Sequence, residues 1–204
     1  MKKNKKLFVL VALFLAVFAV GGTLAYLTDT SETKTNTFTF GNVDITLTEP
    51  TWEETGKTAA ADMAPGQEVD KDPTIKVETT SKNAYVFVKV TIPTGTAGGV
   101  ANTELFTVGT LGSGWTDVTS AMTGLNTGEH VYAYGTASAM TSVAKNTTLP
   151  AVFTKIKANS ALTGTELANI DHTANVVVNA YAIQAEGLPE GHTSPVAVWG
   201  DLGL

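Results

Sequence analysis

The sequence contains no cysteine and no arginine. Without cysteine, the chain has no disulfides, no thiolate nucleophile and no thiolate metal ligand, which excludes thiol catalysis and zinc sites built on cysteine. All 13 basic residues are lysines, against 19 acidic residues. Proteins that bind nucleic acid contact its phosphates through clustered lysine and arginine. An acidic chain without arginine is therefore a poor candidate for nucleic-acid binding.

The longest apolar run lies near the N-terminus, over residues 7–20, behind a cluster of four lysines. It closes in a Gly-Gly-Thr sequence that leads to Ala25. A basic head, an apolar middle and a small-residue end are typical of a secretory signal peptide. We predict that residues 1–25 are a signal peptide, cut between Ala25 and Tyr26. The protein is then secreted and lies in the extracellular matrix or at the cell surface.

The alternative to cleavage is an uncleaved membrane anchor. Counted on to Leu27, the uncharged stretch reaches 21 residues, and about 20 apolar residues suffice to span a bilayer. The paired glycines and Thr23 favour cleavage, because they interrupt the apolar run where a peptidase needs an extended chain. Before cleavage, the protein contacts the membrane only through its signal peptide.

The composition of residues 26–204 favours β-structure. This part carries a formal net charge of −10, because the signal takes four lysines and no acidic residue. It contains 33 threonines, and this β-branched residue suits the half-exposed surface of a sheet. Its length is natural for a single domain.

Residues 26–37 are wholly polar after Leu27 and are predicted to form a flexible arm, followed by a single β-sandwich domain over residues 38–204. The alternation at the start of this domain changes phase. Phe38 and Phe40 share one parity, whereas the apolar residues of 43–47 share the other. The Gly-Asn pair between them suits a bulge or a crossing from one sheet to another.

The rest of the chain contains several strand patterns and few helix patterns. Residues 84–92 give the strongest strand pattern, and residues 175–184 are apolar on both faces, as expected for a strand buried between layers. Residues 49–64 are predicted as a polar loop and residues 164–171 as a helical turn capped by Thr165. The segment from Pro195 to Trp199 is either a short helix or a final edge strand. Seven to nine short strands with little helix predict an all-β, antiparallel β-sandwich.

Five stretches resemble the TasA/camelysin family. GGTLAYLTD at 21–29 resembles its signal-and-junction motif, and FGNVDI at 40–45 resembles its first strand. PGQ at 65–67 with KD at 71–72 resembles a turn of this family, and NAYVFV at 83–88 resembles the strand that follows. AYAIQAEG at 180–187 is similar to the end of clostridial-type members.

The resemblance implies a jelly-roll sandwich, exported by Gram-positive bacteria, processed by a SipW-type signal peptidase and assembled into fibres of the biofilm matrix. An accessory matrix protein is a further partner to be considered. In such fibres the N-terminal segment of one subunit completes the sheet of its neighbour. The donor here runs from Tyr26 to about Phe40, with Tyr26, Leu27, Phe38 and Phe40 as assembly residues. The alternative is that this segment folds back as the first strand of its own subunit.

The resemblance also raises an enzymatic alternative, because camelysin-type members are classed by some as metallopeptidases. The three histidines, His130, His172 and His192, are not part of an HExxH zinc motif. A zinc site assembled from all three across the fold is less common than surface histidines. We therefore predict no catalytic residue and no metal ligand.

Two further patterns have a functional and a structural interpretation. Acidic residues flank the Pro65-Gly66 turn and offer oxygen ligands for Ca²⁺, but a solvated acidic face is the favoured interpretation. No cofactor is predicted, with calcium or zinc as the open alternative. Trp52, Trp115 and Trp199 are interpreted as core residues rather than a carbohydrate surface. A monomeric adhesin or carbohydrate-binding module is the third function considered.

Overall fold

The computed structural model describes residues 42–170 and 175–203. Several positions singled out in the sequence lie outside the described residues: the signal peptide with its cleavage site at Ala25 and Tyr26, the arm 26–37, and the residues Leu27, Phe38, Phe40 and His172.

The described residues form twelve strands and a few short helical segments. The strands are β1 (Ile45–Thr48), β2 (Glu68–Asp70), β3 (Thr74–Val77), β4 (Ala84–Thr91), β5 (Thr94–Ala97), β6 (Val100–Glu104), β7 (Phe106–Val108), β8 (Trp115–Asp117), β9 (Glu129–Tyr134), β10 (Thr147–Thr148), β11 (Lys155–Ala158) and β12 (Val177–Gln184). The helical segment α1 comprises a π-helical turn (Trp52–Gly56), an α-helical turn (Lys57–Ala59) and a 3-10 turn (Ala60–Asp62). The later helical elements are the 3-10 turn Thr119–Ala121, α2 (Gly164–Leu167) and α3 (Pro195–Asp201).

The strands pair in antiparallel sheets, two of which continue into one another. β3 lies between β1 and β10, and β11 lies between β2 and β7. Backbone hydrogen bonds bridge the interruption between these sheets: Lys71 N–H donates to the carbonyl of Thr154 (3.1 Å) and Val152 N–H to that of Pro73 (2.8 Å). β2 with β3, and β10 with β11, therefore act as two long strands in one layer. The other layer has the order β12–β4–β9–β8.

β4 is the strand on which both cores depend. Its even-numbered side chains, such as Val86 and Val88, are fully buried in a cluster with Ile75 of β3 and Phe153. Its odd-numbered side chains Tyr85 and Phe87 are buried in a second cluster. At about 25 cal/mol per Å² of buried apolar surface, each such side chain contributes roughly 1.5–3 kcal/mol.

Helix α3 covers the second face of β4. Ser194 is its N-cap and Pro195 occupies its first turn, a combination that favours helix initiation. Trp199 contacts Phe87 and Tyr181 edge to face, with ring centroids 5.2 Å and 5.6 Å apart. Helix is therefore the correct interpretation of this segment, and the edge-strand alternative is wrong.

A hairpin and a short helix form a third, smaller cluster. β5 and β6 pair with each other, and Ala97 and Leu105 pack against Leu162. Gly98 and Gly99 make the hairpin turn with positive φ, a conformation that glycine adopts readily. The N-cap of α2 is Thr163, not Thr165.

The structure confirms an all-β chain built from antiparallel sheets. Two further local predictions are wrong. Residues 49–64 include helical segment α1 instead of a loop. Among the described strands β12 lies at an edge, with half-buried or exposed side chains, and is not buried on both faces.

Candidate functional site

The candidate site is a seam between the edges of the two layers. β1 pairs with β3, and β12 pairs with β4. Within residues 42–170 and 175–203, no strand pairs with the opposite side of either. The two edges approach each other, with Cα atoms of β1 and β12 within 8 Å. We call residues 43–49 and 176–183 together the seam.

The inner face of the seam is apolar and incompletely covered. Ile45 and Leu47 of β1 alternate with exposed threonines. Val178 and Ala180 of β12, with Val176 just before it, are likewise half-buried against the main core cluster. Exposed apolar edges promote pairing with another strand, and natural sheets usually protect them. The seam therefore has the properties of a strand-accepting surface.

The backbone of both edge strands presents hydrogen-bonding groups to the seam. Asp44 accepts a hydrogen bond from Glu78 N–H (2.9 Å), and antiparallel pairs alternate along a strand. Even-numbered residues of β1 therefore face β3, and residues 43, 45 and 47 face the seam. On β12, Ala185 N–H donates to Asn83 (2.8 Å), so residues 178, 180 and 182 face the seam. A further strand would pair with these groups.

Two concave surfaces lie at one end of the seam. One, of about 590 Å³, is lined by Leu47, Glu49, Glu53, Lys71 and Val178, among others. The other, of about 260 Å³, lies beside α1 and has Trp52, Met63, Val69, Phe106 and Val176 in its wall. Both are large enough for apolar side chains from another segment.

A buried ion pair stands at this end of the seam. Lys71 Nζ lies 2.8 Å from Glu49 Oε2, with side-chain exposures of 6% and 17%. The Lys71 ammonium also lies 4.5 Å from the centre of the Trp52 ring, a distance suited to a cation–π contact. Glu49 Oε1 is inaccessible to solvent, and no donor in the described part of the chain lies within hydrogen-bond distance of it. Glu49 shares the half-buried side of its strand with Leu47.

Asp72 fixes the start of α1 next to this pair. Its Oδ1 accepts hydrogen bonds from the backbone N–H of Thr51 (3.0 Å) and of Trp52 (3.1 Å). Burial opposes ionisation of Asp72, but these hydrogen bonds outweigh it, so the pKa of Asp72 lies below its ordinary value. The first N–H groups of α1 are thus bound by a carboxylate that lies well beyond the end of the segment in the sequence.

The histidines considered for a zinc site lie on separate elements where the structure describes them. His130 Nε2 of β9 is 2.8 Å from Glu104 Oε1 of β6. His192 Nδ1 is 2.8 Å from Asp201 Oδ2 of α3. His172 is outside the described residues. Among the described residues, no three His, Asp or Glu side chains lie close enough together to hold a metal ion.

The acidic residues around the Pro65-Gly66 turn are spread over several contacts. Asp70 Oδ1 lies 2.8 Å from Lys155 Nζ and Glu68 Oε1 lies 4.0 Å from Lys157 Nζ, across β2 and β11. Glu53 pairs with Lys57 within α1. The tryptophans take part in packing: Trp115 is buried, whereas Trp52 and Trp199 are half-buried.

A further cavity, of about 490 Å³, lies between the β5–β6 hairpin and α2. Glu166 in its wall accepts hydrogen bonds from Gly99 N–H (2.8 Å) and from Thr163 N–H (2.8 Å), and Thr163 Oγ1 caps the helix in return. These backbone hydrogen bonds, first that from Gly99, lower the pKa of Glu166 to about 2. Thr163 and Glu166 have the Thr-x-x-Glu spacing of a capping box, which is visible in the sequence. The prediction of Thr165 as the cap missed this motif.

Comparisons with known proteins add no relative: no family model, no curated protein and no solved structure matches the chain. Among the described residues, no helix has both the length and the apolar character needed to cross a membrane.

Removing one charge of the Lys71–Glu49 pair should strongly lower the stability of the fold. Lys71→Met leaves the buried Glu49 carboxylate unpaired and should lower the free energy of unfolding by about 3 kcal/mol, measured by urea denaturation. The control Lys155→Met removes one partner of a half-exposed pair and should lower the free energy of unfolding far less, because solvent screens such a pair. The double variant Glu49→Gln/Lys71→Met should recover most of the loss. Equal effects at both lysines would contradict the burial argument.

The hydrogen bond between Glu166 and Gly99 should make the β5–β6 hairpin sensitive to acid. Because its folded pKa lies below the ordinary value of 4.5, its contribution is complete above about pH 4.5 and is lost as the pH falls towards 2. Amide hydrogen exchange at Gly99 should therefore accelerate over this range, beyond its intrinsic pH dependence. In Glu166→Gln the acceleration should be present at every pH. Retained protection of Gly99 in that variant would show that the contact does not hold the hairpin.

Proposed function

We propose that this protein is a secreted structural protein of the extracellular biofilm matrix, and that it self-associates into fibres by donating its N-terminal strand to the seam of a neighbouring copy. The observation that carries the proposal is the seam. It combines two adjacent sheet edges, a half-buried apolar inner face and backbone groups directed outward from both edges. An added strand would extend a sheet edge, cover the apolar inner face and pair with the outward backbone groups.

The strand order supports a jelly roll as the finer description of the fold. Each layer interleaves strands from early and late parts of the chain: β3 pairs with β10, and β4 lies between β9 and β12. Such interleaving is typical of a chain wound as nested antiparallel pairs over two sheets. Jelly-roll sandwiches in the family that the sequence resembles form matrix fibres, which agrees with the proposed role.

The N-terminal sequence is the basis for proposing that the protein is secreted. A signal peptide of residues 1–25, cut after Ala25 by a SipW-type signal peptidase, leaves Tyr26 as the first residue of the arm and frees the segment that follows to reach another copy. Self-association is the principal partnership proposed, with an accessory matrix protein as a further partner. The acidic, arginine-free composition supports neither nucleic-acid binding nor a polyanionic partner.

The test of this function is fibre formation by a chain whose donor segment has lost its apolar side chains. Phe38→Ser/Phe40→Ser removes two aromatic side chains that would enter the seam, each worth about 1.5–3 kcal/mol of burial. We expect electron microscopy to show fibres from the unmodified protein and none from this variant at equal concentration.

The matched control is Thr37→Ser/Thr39→Ser, which changes the other face of the same segment and should leave assembly intact. Fibres from the double-phenylalanine variant, or none from any form of the protein over a wide range of concentration and pH, would contradict the proposal.

A further inference from the structure

We propose that the cavity beside α1 binds a small amphiphilic anion, a medium-chain carboxylate with an apolar body of about eight to ten carbons. This cavity, of about 260 Å³, lies between α1 and the strands β2, β7 and β11. Of its described wall, only Val176 belongs to the seam. The site is therefore separate from the strand-accepting edges, and the inference does not rest on the proposed function.

The wall of the cavity is apolar on both the sheet side and the helix side. Val69 of β2 and Ile156 of β11 are cross-strand partners, and both are buried. Trp52 and Met63 line the cavity from the side of α1 and are half-buried. An apolar cavity of about 150 Å³ accommodates benzene. A cavity of this larger volume therefore has room for a body of about eight to ten carbons.

Segment α1 is anchored through its first turn. A Cβ at Gly56 would lie 2.3 Å from the carbonyl oxygen of Asp70 and 2.7 Å from the Trp52 ring, so glycine is required for this close approach. Asp72 binds the first N–H groups of the segment. The same turn is π-helical, a rare conformation that is frequent at functional sites. Beyond it, α1 extends over the cavity and lines it with Ala60.

The charges of the wall select an anion. Two charged side chains line the cavity in the described part of the chain, and both are lysines, Lys57 and Lys71. Lys57 pairs with Glu53, and Lys71 with Glu49. Because an ammonium group has three N–H donors, each lysine can bind a second acceptor beside its carboxylate partner. A carboxylate head group at these lysines, with its apolar body on the sheet side, complements both parts of the wall.

A series of ligands with equal head groups or equal chain lengths tests the site. Hexanoate, octanoate and decanoate, each below its micelle concentration, are titrated into the dilute full chain by isothermal titration calorimetry. We expect one saturable site per chain and an affinity that rises about fourfold per methylene from hexanoate to octanoate, as burial of each CH₂ implies. Octan-1-ol should bind about two- to fivefold more weakly than octanoate, and octylamine more weakly still.

Two substitutions in α1 test the apolar part of the site. Ala60 is half-buried and lines the cavity, whereas Ala59 is exposed and lies outside its wall. Ala60→Phe should fill the cavity and weaken octanoate binding at least about tenfold, because the ring occupies the space of several methylenes. The matched control Ala59→Phe should leave the affinity unchanged. Urea denaturation checks that both variants are folded.

Two further substitutions test the charged part. Lys57→Gln should weaken octanoate binding about two- to fivefold and leave octanol binding unchanged. Glu53→Gln breaks the same ion pair but keeps the lysine, so it should not weaken octanoate binding. This pair of variants separates the charge of Lys57 from any effect of the ion pair on α1.

Absence of saturable octanoate binding would overturn the proposal, and so would undiminished binding by Ala60→Phe. Octanol binding as tight as octanoate binding would overturn the assignment of an anion, and would indicate an uncharged apolar group, such as a side chain of a partner, as the occupant. Because the wall and the seam share only Val176, fibre formation can persist when any of these results is obtained, and the two proposals can fail separately.

Discussion

The structure depends on burying β4 on both of its faces. Val86 and Val88 pack against the opposite layer, while Tyr85 and Phe87 pack against helix α3. Because the chain has no disulfide to constrain the unfolded state, apolar burial must offset the cost of ordering the chain. A strand that serves two clusters couples them. The large α3 contact through Trp199 and the facing sheet are therefore stabilised by the same eight residues.

The position of β4 also determines where the sheet ends. With β9 on one side, β4 has only β12 on the other, and β12 lies beside β1 of the facing layer. The core is thus closed by β4 and open at the seam, where apolar side chains remain half-buried and backbone groups face outward. Edges of this kind tend to recruit another strand. In the proposed assembly, the N-terminal segment of a neighbouring copy is that strand.

The sequence was sufficient for features encoded by local pattern. The β4 strand followed from an unbroken alternation of apolar residues, and Ser194 and Pro195 indicated α3 as one of two alternatives. It was insufficient where distant residues decide. Segment α1 has no helical apolar period and depends on Asp72 for its first N–H groups. β12 is apolar on both faces but lies at an edge, because its composition does not specify how many neighbours it has. The seam itself involves strands more than one hundred residues apart, so no local pattern could reveal it.

Amide hydrogen exchange along the two edge strands tests the central claim most directly. Assembly by strand addition should slow exchange at the seam-facing amides of β1 or β12, such as Ile45 and Leu47 or Val178 and Ala180, and leave the amides of β4 as they are. If free and assembled protein differ instead at α3 or at the β5–β6 hairpin, with the amides of both edges unchanged, the seam is not the assembly surface and the account is wrong.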